Sequence, residues 1–299
     1  MKKGKINITL KKMLGEKVKK ILIIFLFPFR NRFILFNVFN KAKKNIVNLD
    51  YWSEAPNLGD SISPVIVEYM LSLKNIKKDK KISKTKHLCA VGSVLTAGIQ
   101  DCTVWGSGIL NTNISYRVKN RRLDIRSVRG PLTRIILEEY GYKVPNVYGD
   151  PDILLPQVFS PKNKKKIYKV GIIVHKDFIL EKSFNDRKIL DEIKIIDIKT
   201  NDYKKFIEDI VLCEKIVSSS LHGIIIAEAY DIPAILLKPQ VDLFKYYDYY
   251  YSTGRLSFPM PSTIEEAIIT EPVNVPNLEE LRKNLSESFP YDIYEDFNE

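Results

Sequence analysis

"SSSLHGIIIAEAYDIPAI", residues 218–235, sets one of only three histidines between a serine triplet and an apolar run. Just before it, "CEKIVSS" reads as a buried strand; "GIIIAEAY" reads as a helix opening at Gly223, and "PAILL" as the next strand after a short turn. Strand, helix and strand make a β-α-β unit, which predicts a parallel sheet. His222 then stands where strand hands over to helix, at the carboxyl end of the strand. In open α/β sheets ligands gather there, and the free N–H groups of a helix's first turn attract anions. Two readings of His222 stay open from this unit alone: an imidazole satisfied by a nearby carbonyl, or a group in an anion site.

The same alternation runs outward along the chain. "NIVNLDYW" is strand-like, and "SPVIVEYMLSL" is helical with Pro64 in its first turn. After a lysine-rich loop (residues 74–86), read as solvated, "HLCAVGS" and "TVWGSG" are short apolar runs ending in glycine. "DIRSVRG" leads into "PLTRIILEEYG", a helix with Pro131 at its start and Gly141 just past its end. The polar, basic "SPKNKKKIYK" (160–169) reads as a linker, and "VGIIV", "IKIIDI", "EKIVSS" and "PAILL" follow as strands. Strands alternating with helices on either side of a linker predict an α/β chain of two Rossmann-like, doubly wound domains facing a cleft, at residues 46–160 and 161–299. A length of 299 residues suits two such units.

The net charge of +11 is unevenly placed. Residues 1–45 hold 13 Lys/Arg and one acid, whereas the remainder holds 34 basic and 35 acidic groups. A nearly neutral body weakens a nucleic-acid reading, which wants a basic face on the fold itself. The arm, residues 1–45, also contains "ILIIFLFPFRNRFILFNVF" (21–39), whose apolar run is broken by Arg30 and Arg32. That is short of the roughly 20 apolar residues of a spanning helix, and no small-x-small cleavage pattern follows it. Lysines flanking a short Phe-rich stretch suit a segment in the interface of an anionic membrane, and a helix packed on the body is the alternative. The three cysteines form no C-x-x-C pair and no Cys/His cluster, which points to buried thiols of a reducing compartment and no structural zinc.

Charged and small residues collect at the expected strand ends. In "NLGD" (57–60), Gly59 lets backbone approach a ligand, and Asp60 can cap the helix or accept a proton. In "VRGP" (128–131), Arg129 stands beside a helix start, where a guanidinium can grip a carboxylate or phosphate or serve as an ordinary surface group. "YGDP" (148–151) supplies Asp150 in a tight turn.

Taken together and in order, "YWSEAPNLGDSISPVIVEYML", "VGSVL", "TVWGSGI", "SVRGPLTRIILEEYGYKVPNVYGDPDILLP", "VSSSLHGIIIAEAYDIPAI" and "LFKYYDYY" resemble the polysaccharide pyruvyl transferase family, in its exopolysaccharide ketal-forming branch. The resemblance spans about residues 47–255 and leaves the arm outside. It implies a GT-B-like pair of domains, the first on the acceptor side and the second on the donor side. It also implies transfer of a pyruvyl group from phosphoenolpyruvate to a sugar of a bacterial polysaccharide or its lipid-linked precursor, at the cytoplasmic membrane face. No cofactor or metal enters that scheme, phosphoenolpyruvate being the donor substrate. Residue by residue, His222 matches the family's histidine, the acid or phosphate ligand, and Arg129 its donor-binding arginine. Asp60 is the candidate base. Asn57, Gly59, Gly106, Asp150, Ser219, Ser220 and Leu221 are candidate substrate-binding positions. Where some relatives carry arginine, this chain has Ser220, and Lys238 is the cation positioned to replace it. The tyrosines at 246, 247 and 249–251 suit sugar stacking or core packing equally. The alternative is a nucleotide-sugar glycosyltransferase with Glu228 at the donor, although the usual second acid is replaced by Leu221.

Overall fold

A computed structural model describes residues 42–53, 56–96, 98, 100–110, 118–119, 121–163, 165–173 and 191–295. The expectations for the arm up to residue 41 lie outside them. Two four-stranded sheets, each wholly parallel, carry the fold in a Rossmann-like α/β arrangement. The first comprises β1 (Val47–Asp50), β2 (Lys86–Cys89), β3 (Cys102–Trp105) and β4 (Leu123–Ser127) in that order. A parallel bridge from Val128 to Tyr148 extends it beyond β4. The second comprises β5 (Tyr168–Ile173), β6 (Ile193–Ile195), β7 (Cys213–Ser218) and β8 (Ala234–Leu236), in the order β6-β5-β7-β8. β5 begins inside the stretch read as linker.

The helices follow local chemistry. α1 (Leu58–Ser61) and α2 (Ser63–Ser72) succeed β1, with Pro64 in the first turn of α2. α3 (Pro131–Glu139) stops at Gly141, whose φ of +86° is the left-handed conformation glycine tolerates. The Gly141 and Tyr142 N–H groups close the helix end on the carbonyls of Glu138 and Leu137. α4 (Leu155–Val158) and α5 (Tyr203–Val211) are followed by α6 (Leu221–Ala229), which starts two residues earlier than the sequence suggests. His222 therefore sits inside the first turn rather than ahead of it. α7 (Phe244–Ser252), α8 (Ile264–Ile269) and α9 (Glu279–Glu287) complete the set used below.

The cores of the two halves share side chains. One hydrophobic cluster takes Leu58, Ile62 and Ile66 from the first half and Leu221, Ile224 and Ile225 from the second. Each fully buried aliphatic side chain of this kind contributes about 1.5–3 kcal/mol. The C-terminal stretch returns to the first sheet: Trp105 Nε1 donates to the Leu285 carbonyl at 2.8 Å, and Arg126 grips Asp292 with two nitrogens at 3.0 and 2.7 Å. All three cysteines are free and buried.

Candidate active site

The second sheet changes direction of growth between β5 and β7, and β7 runs directly into the serine triplet. The Ser219 N–H donates to the Ile173 carbonyl, so the triplet lies across the carboxyl ends of β5 and β7. Ser218 Oγ accepts the Ser220 N–H and donates to the Ser220 carbonyl, both at 3.0 Å, which tightens the turn into α6. Gly223 lets that helix sit down on the sheet, since a Cβ there would come within 2.4 Å of Ser218 Oγ.

This geometry aims His222 at the turn that follows Tyr148. Its Nδ1 lies 2.7 Å from Asp152 Oδ2, with 14 % of the imidazole exposed and none of the carboxylate. Asp152 was not among the residues marked in the sequence, although it stands two places after Asp150 in "GDPD". Asp150 caps the short 3-10 helix Pro151–Leu154 by accepting the Asp152 N–H. Its Oδ2 is buried with no hydrogen-bond partner among the described residues. Burial foremost, and then the adjacent Asp152 charge, push the Asp150 carboxyl up to about 7, against the opposing pull of His222 and Arg129. Asp150, Asp152 and His222 each bring a ligating atom within 4.8 Å of the others. Such a set of donors can hold a cation, but the short Nδ1–Oδ2 contact places a proton between ring and carboxylate. An Nδ1–H donated to that carboxylate sets the tautomer and directs Nε2 away from it.

Gly59 closes over the ring from the first half. A Cβ on it would lie 2.0 Å from His222 Cδ2 and 2.6 Å from Nε2, so only glycine permits this approach. The Leu58 N–H donating to the Ile198 carbonyl at 3.0 Å holds α1 there. Asn57 starts that helix, its carbonyl accepting the Ser61 N–H. Asp60 belongs to α1, and its side chain lies outside what is described. Gly106, at φ +77°, brings β3 against Pro151 and the Gly149 carbonyl, and thereby supports the Asp150 turn from below.

Other expected positions serve differently. Arg129 was expected to open toward an anion, but it is fully buried. Nε meets Asp248 Oδ2 at 3.1 Å, Nη1 meets Ser93 Oγ at 2.8 Å, and Nη2 meets the Ile109 carbonyl at 2.6 Å. Asp248 also accepts from the backbone and hydroxyl of Thr133. Such a guanidinium ties α7 to α3 and presents no open face. The Leu221 side chain is 2 % exposed in the core, so only its backbone belongs near a ligand. Ser219 and Ser220 are buried, and the Ser219 carbonyl accepts from Tyr246 OH at 2.8 Å. Lys238 is exposed just past β8, where the neighbouring Leu237 N–H reaches the Ser218 carbonyl. It is a cation at the same sheet edge as His222.

Of the five tyrosines, Tyr246, Tyr249 and Tyr250 are core, whereas Tyr247 and Tyr251 are half-buried. Tyr249 OH donates to Glu228 Oε2 at 2.7 Å, and Tyr250 stacks on Phe258 with ring centroids 3.7 Å apart. Glu228 is 1 % exposed and gripped by Arg255 at 2.6 and 2.8 Å. A glutamate so engaged does not face a donor sugar.

The sequence matches the Polysaccharide pyruvyl transferase family over residues 57–241. It is 30 % identical over 212 residues to "Uncharacterized protein L143" of Acanthamoeba polyphaga mimivirus, covering 68 % of this chain and 73 % of that one. It is 26 % identical over 215 residues to the succinoglycan biosynthesis protein ExoV of Rhizobium meliloti (strain 1021), covering 68 % of this chain and 64 %, just under two thirds, of the relative. The matched region contains Gly59, Asp150, Asp152 and His222, and the chain belongs to the polysaccharide pyruvyl transferase family.

Proposed function

We propose that this chain transfers the pyruvyl group of phosphoenolpyruvate to two hydroxyls of one sugar in a polysaccharide or its lipid-linked precursor, forming a ketal. The supporting observation is the Asp152–His222 pair, held in the first turn of α6 at the carboxyl edge of the second sheet. A helix start favours the donor's anionic groups, and the exposed Lys238 supplies a further cation at that edge. The reading extends to a GT-B-like use of the two halves, with the acceptor on the side of the first sheet.

In this mechanism imidazolium Nε2 delivers its proton to the methylene carbon of the donor, leaving a cationic centre at C2. One sugar hydroxyl adds there and gives up its proton. The C2–O bond to phosphate then breaks, phosphate departs with the bonding pair, and the second hydroxyl adds and loses its proton to close the ketal. Asp152 keeps Nδ1–H oriented and balances the imidazolium charge, the role an acid plays behind a catalytic histidine. Asp60 is the proposed base for the first hydroxyl. The arm would hold the enzyme at the cytoplasmic membrane face, where a lipid-linked acceptor is found.

Solvent-deuterium incorporation into the pyruvate methyl group, measured with phosphate release, tests the proton step. His222→Gln should fold and slow both by about 10²–10⁴-fold. Wild-type turnover by that variant would remove His222 from the reaction. A nucleotide sugar that raises the melting temperature while phosphoenolpyruvate does not would support the glycosyltransferase alternative instead.

A further inference from the structure

We propose that the amino-end edge of the first sheet is a docking face for an anionic lipid surface, built into the folded body and separate from the arm. The loop of residues 74–86 carries seven lysines and one acid, Asp79. Sequence alone makes it a solvated connection, but the structure gives it a fixed seat. The Asn45 N–H donates to Thr85 Oγ1 at 2.9 Å, the Ile82 N–H to the Asn45 carbonyl at 3.0 Å, and the Lys86 N–H to the Ile46 carbonyl at 3.1 Å. The loop thus lies against the residues that lead into β1, and Lys43 and Lys44 join its exposed lysines. Lys74, Lys77 and Lys80 share the wall of a cavity of about 630 Å³ with Tyr291 and Glu295. Lys78 pairs with an acid, Glu68, at 2.6 Å.

Crowded like charges repel one another, and an opposing anionic surface relieves that cost. Leu73, at the margin of the cluster, is 53 % exposed. Lysine heads at headgroup level with an apolar side chain reaching beneath them fit a bilayer interface. A nucleic acid fits less well. The loop has no arginine, and Tyr291, the ring in the cavity wall, is anchored through its OH to the Met70 carbonyl. β1 and β2 run parallel away from this edge, so the face lies at the opposite end of the first sheet from Gly59 and His222, about 13 Å along four strand residues. Docking there leaves the candidate site turned away from the lipid. The proposal rests on none of the catalytic argument.

The test uses the full chain sedimented with vesicles of phosphatidylglycerol and phosphatidylcholine, or of phosphatidylcholine alone, at about 0.1 M salt. Wild type should bind the anionic vesicles only. Changing Lys74, Lys77, Lys80 and Lys81 together to Glu should lower the partition at least about tenfold, each surface lysine being worth roughly fivefold. Its melting temperature should be unchanged. Leu73→Ser should weaken binding less. In a second full-length variant, with the lysines of residues 2–20 changed to Gln, the residual binding should vanish when the loop changes are added. Wild-type partition by the loop variant would overturn the proposal. So would indifference of the wild type to both vesicles, or tighter binding to a single-stranded oligonucleotide than to the anionic vesicles.

Discussion

Two buried charge clusters stand at strand ends in this molecule, and they look alike in sequence but not in chemistry. Around Arg129, each guanidinium nitrogen meets a partner, and both Arg129 and Asp248 are 0 % exposed. Around His222, Asp152 pairs with the imidazole, Asp150 lies within 4.8 Å, one Asp150 oxygen has no partner among the described residues, and the ring keeps an opening to solvent. A buried pair whose valences are filled holds elements together. A buried group with an unfilled valence and a path to solvent stores the free energy that shifts a proton. The comparison makes Arg129 a tie between halves and leaves His222 as the group proposed to react.

Breaking the satisfied cluster should have the largest effect. Arg129→Met or Asp248→Asn leaves an opposite charge buried and unpaired, and should cost about 3–5 kcal/mol in urea unfolding. Changing both should cost clearly less than the sum. A wild-type unfolding midpoint in either single variant would show that Arg129 is free to serve a ligand after all. Asp152→Asn should leave stability nearly intact but slow phosphate release by about 10²-fold, with the high-pH fall in rate moving to lower pH because the imidazolium has lost its counter-charge. An unmoved pH profile would reduce Asp152 to a packing role.

Asp150→Asn sharpens the contrast through pH. In the wild type both folded and unfolded carboxyls are protonated below the ordinary value of 3.8. Between there and about 7 the folded carboxyl keeps a proton that the unfolded chain releases, so stability falls as pH rises, and above about 7 the deficit is constant. The Asn variant lacks this loss. Its advantage should grow from pH 4 to 7 and then level off at no more than about 2 kcal/mol, once its own buried amide is counted. Parallel stability curves would mean that Asp150 is not held protonated. Gly59→Ala should have the smallest effect: the added methyl must displace the imidazole, slowing turnover about tenfold, whereas the helix itself gains slightly from alanine.

What depends on neighbours along the chain was legible from the residues alone. Alternation of apolar runs marked the parallel strands, Pro131 and Gly141 marked both ends of α3, and "SSSLHG" marked the passage from β7 into α6. These features come from backbone preference and periodicity within a dozen residues, where one sequence leaves few alternatives. Tertiary structure alone decided which charges meet. Arg129 and Asp248 are 119 residues apart, and Asp152 and His222 are 70 apart. No local pattern reports that one arginine will be neutralised and enclosed, or that a second aspartate of "GDPD" will turn toward an imidazole. Tyr246, Tyr249, Tyr250 and Glu228 show the same limit, since their core role follows from how α7 packs on α6 and α3. Chemical reactivity here is a matter of which valences packing leaves unfilled, and packing is settled between distant parts of the chain.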